Sequence, residues 1–294
     1  MKKLVRSILA LTIGATFFVG CGTKAPEETQ DPVQSEVTED SGSTENSEGS
    51  EVSSDLVELT IGATAVPHGE ILDYVKADLL TQGIDLQVVE FSEYAIINPS
   101  TTDGSLDGNF FQHTPFLDDY NENTGSDLAI IGPVHIEPLG VYSETLTEIS
   151  SLIEGSKVAI PNDATNESRA LKLLADSGLI TLDPDKKEGL TPIDIVDNSL
   201  NLEFIELEAA QLPRNLTEVD IAVINTNFAV EAGLNPMEDA LVIESSDSPY
   251  ANILVANQEN ADNEAMAKLY KALTSEAVRE FLVSEYNGAI VPAF

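Results

Sequence analysis

The sequence predicts an α/β protein in which parallel sheets covered by helices form two lobes around one cleft. Short apolar runs alternate with stretches of helical periodicity along most of the chain, and this alternation is typical of parallel sheets. Polar and aromatic residues follow the predicted strands in both halves of the chain. Because open sheets bind ligands at the carboxyl ends of their strands, these residues predict a shared cleft.

The chain begins with a predicted lipoprotein signal peptide, residues 1–20. Basic residues precede an apolar run from Ile8 to Val19, which is too short to span a bilayer, since spanning takes roughly 20 helical residues. Cys21 follows this run and is the only cysteine, so it cannot form an internal disulfide. The arrangement resembles a bacterial lipobox, which implies cleavage before Cys21 and lipid attachment to it. The alternative is an ordinary secretory signal followed by a chance cysteine.

Residues 21–55 are predicted to form a disordered acidic linker between the membrane and the folded body. Glu and Asp alternate here with Ser, Thr, Gly and Pro, and large apolar residues are almost absent. Such a segment cannot bury enough apolar surface to offset the entropy lost on ordering.

The folded body begins with a strand–helix–strand unit. Leu59 to Thr64 is an apolar run that predicts a buried strand, and Asp85 to Phe91 predicts the next one. Between them, Pro67 is expected to open a helix that Gly83 ends. A third apolar stretch, residues 128–136, leads on to Val141 and Tyr142.

The same alternation continues through the second half of the chain. Residues 157–160 predict a strand, and residues 166–177 predict a helix. Two further strands are expected at 202–207 and 221–224, and a final helical region runs over 261–286.

Aromatic residues are concentrated between Phe110 and Phe116, on either side of His113. Aromatic rings suit a polarisable apolar ligand group such as a thioether, which gains roughly 0.3–1.5 kcal/mol from each sulfur–aromatic contact. The alternative is that the rings fill the core of a lobe.

Asn166 and Arg169 lie three residues apart at the start of a predicted helix, which puts both side chains on one face. Free backbone amides and the helix dipole favour an anion there. A guanidinium matches a carboxylate with two parallel hydrogen bonds. The alternative is a capping residue beside a surface arginine.

Composition and motifs exclude several classes of protein. Acidic residues number 51 and basic residues 14, for a net charge of -37, so no stretch can follow a nucleic-acid backbone. The sequence contains neither a Gly-x-Ser-x-Gly nucleophile motif nor a Gly-rich phosphate loop. Three histidines, His68, His113 and His135, leave a metal site as an alternative, although no metal is expected. Two of them belong to His-x-Glu pairs, with Glu70 and Glu137, and on a strand this spacing puts both side chains on one face.

Eight segments carry a resemblance to a known family, and they are residues 66–72, 89–94, 106–113, 134–140, 159–163, 207–214, 222–225 and 248–252. In this order they resemble the NlpA/MetQ lipoproteins, the substrate-binding proteins of bacterial methionine ABC importers. The resemblance runs from Leu59 to Phe294. It implies a receptor that is not an enzyme and that needs no cofactor.

The resemblance also implies a type II periplasmic-binding-protein-like fold, with mixed sheets, helices on both faces and two crossover strands. Lobe I would comprise residues 56–142 and 248–294, and lobe II residues 143–247. The crossings would fall near Val141–Ser143 and Ser248–Asn252.

Carried over onto matching positions, the resemblance implies eight ligand-binding residues. Arg169, assisted by Asn225, would bind the ligand carboxylate. Asn166 and Asn252 would hold the ammonium through their amide oxygens. The ligand side chain would be enclosed by Tyr94, Phe111, His113 and Phe116.

One departure bears on the ligand, because the family usually has tyrosine where this chain has Phe116. L-methionine is the expected ligand, and D-methionine, a methionine-containing dipeptide or another amphipathic amino acid are the alternatives. The resemblance implies a monomer that is lipid-anchored on the extracytoplasmic face of the bacterial membrane. Its partners would be an ABC permease and the ATPase subunit. A metal-binding surface protein and a structural adhesin are alternatives of other classes.

Overall fold

The computed structural model describes residues 56–246 and 249–294. The predicted signal peptide, Cys21 and the linker up to residue 55 lie outside the described residues. Within the described ranges, no helix has both the length and the apolar character needed to cross a bilayer.

Strands and helices alternate as predicted. In chain order the strands are β1 Val57–Thr64, β2 Ile84–Phe91, β3 Gly108–His113, β4 Ala129–Ile136, β5 Gly140–Tyr142, β6 Lys157–Pro161, β7 Thr181–Leu182, β8 Ile195–Asp197, β9 Glu203–Leu207, β10 Ile221–Ile224, β11 Val242–Ile243, β12 Ala251–Ala256 and β13 Val291–Pro292. The helices are α1 Glu70–Thr81, α2 Ile97–Thr102, α3 Thr114–Thr124, α4 Ala164–Asp176, α5 Thr226–Glu231, α6 Pro236–Asp239, α7 Glu264–Leu273 and α8 Glu276–Tyr286.

Two large mixed sheets define two lobes, and they share one arrangement over five strands, to which the first sheet adds β13 as a sixth. The first has the order β2-β1-β3-β12-β4-β13, and the second has the order β9-β6-β10-β5-β11. In each sheet three parallel strands lie side by side, and the strand next to them is antiparallel to both its neighbours. The predicted two-lobe α/β fold with mixed sheets is therefore confirmed.

The sheets are covered on both faces. Leu254 and Ala256 of β12 pack in the core that contains α1, α7 and α8, whereas Ile253 and Val255 face the opposite core beside α3. The second sheet repeats this alternation, since Val158 and Ile160 pack against α4 and Ala159 faces the core that contains α5. Side chains alternate between faces because a strand has a period of two residues.

The strand pairing shows where the chain passes between the sheets. β4 belongs to the first sheet and β5 to the second, so residues 137–139 make the first passage, a few residues before the predicted crossing. The return lies between β11 in the second sheet and β12 in the first. The exact division into lobe I (56–142 and 248–294) and lobe II (143–247) stays a prediction.

Two local expectations differ from the structure, and one strand was not predicted. The helix expected to open at Pro67 begins at Glu70, after a turn with a cis Val66–Pro67 peptide. The aromatic segment forms strand β3, and α3 begins directly after it with Pro115 in its first turn, a position proline tolerates. The single helical region over 261–286 is two helices, because Ser275 caps the backbone N–H of Val278 and starts α8.

Candidate functional site

A cavity lies between the two lobes and is lined by twelve residues. All eight residues expected to bind ligand line it. The four further lining residues are Gln112, Glu137, Thr226 and Asn227.

The strands position these residues at one edge of each sheet. In the first lobe, β2 ends shortly before Tyr94, and β3 ends at His113. In the second, β6 leads to α4 with Asn166 and Arg169, and β10 ends directly before Asn225. These are the carboxyl ends of parallel strands, where open α/β sheets bind ligands.

Three aromatic rings form the apolar wall of the cavity. The ring centroid of Tyr94 lies 5.7 Å from that of Phe111 and 5.9 Å from that of Phe116, and the latter two are 5.7 Å apart. Phe228 extends the cluster at 4.9 Å from Tyr94. Rings at these separations attract one another, and together they can enclose an apolar side chain.

Arg169 is the only cation among the lining residues, and it is held from several sides. Its Nε lies 3.1 and 3.2 Å from the two carboxylate oxygens of Glu244, and its Nη2 lies 2.5 Å from one of them. Nη2 also donates to the backbone carbonyl of Glu137 at 2.8 Å, and the Tyr250 ring lies under the guanidinium at 4.3 Å. These hydrogen bonds are donated by Nε and Nη2. None of them is donated by Nη1.

Asn166 joins the two lobes. Its Oδ1 accepts from His113 Nε2 at 3.2 Å and from Asn225 Nδ2 at 3.0 Å, while its Nδ2 donates to Asp163. His113 Nδ1 accepts from the backbone N–H of Phe116, so the imidazole is neutral with its proton on Nε2. Burial, reinforced by the positive charge of Arg169, lowers the pKa of His113 to about 3.

A second contact between the lobes joins Tyr94 and Asn227. The Tyr94 hydroxyl donates to Asn227 Oδ1 at 2.5 Å. Burial raises the pKa of Tyr94 well above its ordinary value, helped by the charge of Glu137, so the hydroxyl keeps its proton. This bond fixes the Asn227 amide and turns Nδ2 away from the tyrosine.

Two amide atoms in the cavity wall are buried without a hydrogen-bond partner among the described residues. They are Asn227 Nδ2, a donor, and Asn225 Oδ1, an acceptor. Leaving such groups unpaired costs about 1–3 kcal/mol each. A ligand with its own acceptor and donor, such as an amino acid, would satisfy both.

Behind the cavity, two histidines surround the carboxylate of Glu137. His135 Nε2 lies 2.7 Å and His68 Nε2 lies 3.2 Å from Glu137 Oε1, and the backbone N–H of Asn227 donates to Oε2 at 3.0 Å. His68 Nε2 also lies 3.1 Å from Asn252 Oδ1. All three side chains of this cluster are buried.

Burial is the main influence on the pKa values in this cluster. It lowers the pKa of His68 to about 4, against an opposing effect of Glu137, and that of His135 to about 3. It raises the pKa of Glu137. Both imidazoles are therefore neutral at neutral pH. His135 Nε2 donates to the carboxylate, and His68 Nε2 donates to Asn252 Oδ1.

The sequence pattern identified part of this cluster. The His135-x-Glu137 spacing predicts that both side chains share one face, and the two side chains do meet. In the corresponding His68-x-Glu70 pair, Glu70 instead accepts from the Tyr286 hydroxyl. His113 lies outside the group of His68, His135 and Glu137, whose ligating atoms lie within 4.8 Å of one another.

Sequence reasoning missed Asn227 and Glu244. Asn227 stands two residues after Asn225, and its position at the start of α5 was a usable signal. Glu244 is 75 residues from Arg169 along the chain, and no local pattern connects the two.

A family model described as NlpA lipoprotein matches residues 59–294. The chain belongs to the NlpA lipoprotein family. This family is a class of substrate-binding proteins, so the chain is a binding protein and not an enzyme.

Relatives in the NlpA family have been named for methionine. A probable D-methionine-binding lipoprotein MetQ of Pasteurella multocida is 38% identical over 235 residues, which cover 79% of this chain and 85% of the relative. The D-methionine-binding lipoprotein MetQ of Escherichia coli K12 is 39% identical over 215 residues, 71% of this chain and 78% of the relative.

A solved structure of similar fold supports the architecture. A nutrient-binding protein of Burkholderia cenocepacia, bound to methionine, superposes with a TM-score of 0.78 at 39% identity. The match covers 80% of this chain and 100% of that protein.

Proposed function

We propose that this chain is a lipid-anchored extracytoplasmic receptor that captures L-methionine in the cleft between its lobes and delivers it to an ABC importer. The permease and its ATPase would be its partners, and Cys21 would carry the lipid. The names of the relatives and the methionine bound to the Burkholderia protein support this proposal.

The observation that carries the proposal is the chemistry of the cavity. An unpartnered amide donor and an unpartnered amide acceptor lie beside Arg169, and aromatic rings line the rest. In the proposed complex Arg169 and Asn227 donate to the ligand carboxylate, and the rings enclose the thioether. Asn166 and Asn252 surround the ammonium. Asn225, which the resemblance assigns to the carboxylate, is placed beside the ammonium instead, because its unpartnered atom is the acceptor Oδ1.

The contacts available in the cavity can supply enough binding free energy for micromolar affinity. A hydrogen bond to a charged group contributes about 1.5–3 kcal/mol, and burial of a methionine side chain contributes about 1.5–3 kcal/mol. After the cost of association, micromolar binding, about 8 kcal/mol, is within reach.

Calorimetry on protein stripped of ligand tests the proposal. L-methionine, D-methionine, glycyl-methionine and leucine are titrated separately, and the ligand that copurifies with the protein is identified by mass spectrometry. We expect L-methionine to bind most tightly. Tighter binding of D-methionine or of the dipeptide would contradict the assignment of L-methionine as ligand but not the role as a receptor. Failure of all four compounds to bind would refute the proposal.

A metal site at His68, His135 and Glu137 is the second candidate, because their ligating atoms lie close together. Zinc ligands at about 2.0–2.1 Å in tetrahedral geometry are about 3.3 Å apart. The 2.7 Å between His135 Nε2 and Glu137 Oε1 fits a hydrogen bond better. One metal ion per protein molecule, found after purification without chelators, would favour a metal site over a hydrogen-bonded cluster.

A further inference from the structure

We propose that the carboxylate of Glu137 is the buried counter-charge that restricts the cleft to ligands with a cationic amine. His135 and the backbone N–H of Asn227 hold this carboxylate in place. The inference rests on the proposed amino-acid ligand, and it assigns the selection of the amine to a residue outside the eight expected from the sequence.

The first argument is the distribution of charge in the cavity. Among the lining residues, only Arg169 and Glu137 have a guanidinium, ammonium or carboxylate group. The hydrogen bonds that His135 and the Asn227 backbone donate to the Glu137 carboxylate suit its ionised form. The positive charge of Arg169 is already matched by Glu244, whose carboxylate lies 2.5 Å from Nη2. Glu137 is therefore the charged lining residue that has no oppositely charged partner of its own among the lining residues.

The second argument is that the neighbours of Glu137 supply hydrogen bonds and no charge. His68 Nδ1 faces the Thr64 hydroxyl at 2.7 Å, so His68 Nε2 carries the proton, which it donates to Asn252 Oδ1 with Glu137 Oε1 3.2 Å away. The donors to the carboxylate are His135 Nε2 and the Asn227 backbone N–H. A buried carboxylate is costly unless a positive charge pairs with it, and a ligand ammonium would supply that charge.

The third argument is the position of Glu137 relative to the expected ammonium site. His68 Nε2 lies 3.2 Å from Glu137 Oε1 and 3.1 Å from Asn252 Oδ1. The carboxylate is thus a neighbour of the amide that the sequence assigns to the ammonium. Its backbone carbonyl meanwhile binds Arg169, so Glu137 is placed between the groups for the two ends of a zwitterion.

The test compares methionine with its des-amino analogue, the methylthio-butanoate, on wild-type protein and on Glu137→Gln. Gln keeps the size of the side chain and can still accept from His135, but it removes the charge. Glu285→Gln, at an exposed position on α8, is the matched control for the loss of one negative charge.

We expect wild-type protein to prefer methionine over the analogue by about a hundredfold or more. Glu137→Gln should weaken methionine binding by about tenfold or more and change analogue binding by no more than about threefold. Glu285→Gln should leave both affinities unchanged. The ratio of the two affinities is the decisive readout, since a purely structural role would weaken both ligands equally.

Equal weakening of both ligands by Glu137→Gln, or no weakening of methionine, would overturn the inference. If the variant does not fold, the wild-type comparison decides, because similar binding of the two ligands would also refute the role of Glu137. If wild-type protein binds no methionine at all, the proposed function fails and this inference fails with it. Methionine binding with an unchanged ratio refutes this inference alone.

Discussion

At the scale of single residues, Arg169 shows why a charge needs support to be useful in a binding site. Its side chain is 3% exposed, and an isolated guanidinium at that depth would be costly. Glu244, the carbonyl of Glu137 and the ring of Tyr250 fix its position. A ligand carboxylate would therefore meet a donor that is already oriented.

Replacing this residue tests its role directly. Arg169→Ala should weaken methionine binding by about tenfold or more, because a charge-assisted hydrogen bond contributes about 1.5–3 kcal/mol. Isothermal titration calorimetry measures the change. Arg214→Ala, which removes an exposed arginine outside the cavity, is the control and should bind as wild type. Unchanged affinity in Arg169→Ala would mean that the carboxylate binds elsewhere.

The buried histidines predict a dependence of stability on pH. Folded His135 has a pKa of about 3 because of burial, whereas in the unfolded chain a histidine titrates near about 6.5. Above about pH 6.5 both states are neutral at this position. As the pH falls below that value only the unfolded chain gains the proton, so stability decreases.

His135→Gln removes this proton while keeping a donor near Glu137 and His68. Between about pH 6.5 and 4, the unfolding free energy of the variant should fall less steeply, by up to about 1.4 kcal/mol per pH unit. Urea unfolding at several pH values measures both slopes. Parallel curves for the variant and wild type would contradict the assignment of a buried neutral His135.

At the scale of elements, sequence reasoning succeeds where a strand is apolar and fails where it is polar and buried. The apolar run of β10, Ile221–Ile224, is fully buried and was predicted. Strand β3 was missed, because Asn109 and Gln112 are polar yet buried. Their amides bond to each other and to Asn98 on α2, and such a network is not visible in a local pattern.

Gly108 in strand β3 has no space for a side chain, which leads to a prediction about stability. A Cβ at this position would lie 2.4 Å from the backbone oxygen of Val255 in the neighbouring strand, which cannot move independently. Gly108→Ala should therefore reduce the unfolding free energy by about 2–3 kcal/mol, as measured by urea denaturation.

Gly69→Ala is the control for this prediction. Gly69 has helical φ of -61°, and the nearest atom to its Cβ would be 3.3 Å away. Gly69→Ala should change the unfolding free energy by no more than about 1 kcal/mol. Equal effects of the two substitutions would contradict the packing argument.

At the scale of the whole molecule, five strands of the first sheet have the same spatial arrangement as the five strands of the second, although no internal repeat is visible in the sequence. The two-lobe arrangement could be predicted, because polar residues follow strands in both halves of the chain. The partners that join the lobes could not, since Tyr94 and Asn227 are 133 residues apart. The resemblance to a family supplied the eight expected residues, and the His-x-Glu pattern pointed to Glu137. Three-dimensional contacts were needed to find Asn227 and Glu244.

The hydrogen bonds between the lobes should slow the dissociation of the ligand. Tyr94→Phe keeps the aromatic wall and removes the hydroxyl that binds Asn227. We expect methionine to bind about threefold to tenfold more weakly, since a neutral hydrogen bond contributes about 0.5–1.5 kcal/mol. The change should lie mainly in the dissociation rate, which stopped-flow fluorescence measures.

Tyr120→Phe is the matched control, because that hydroxyl bonds to Thr102 within the first lobe. It should leave both rates unchanged. An unaltered dissociation rate in Tyr94→Phe would show that the contact between Tyr94 and Asn227 does not hold the lobes around the ligand.

The central claim is that an amino-acid head group binds at Arg169 while a thioether lies among the aromatic rings. A crystal structure of unlabelled protein, stripped of ligand and bound to free selenomethionine, tests it most directly through the anomalous signal of selenium. We predict one selenium site among the rings of Tyr94, Phe111 and Phe116. A selenium site elsewhere on the protein, or none at full ligand saturation, would contradict the claim.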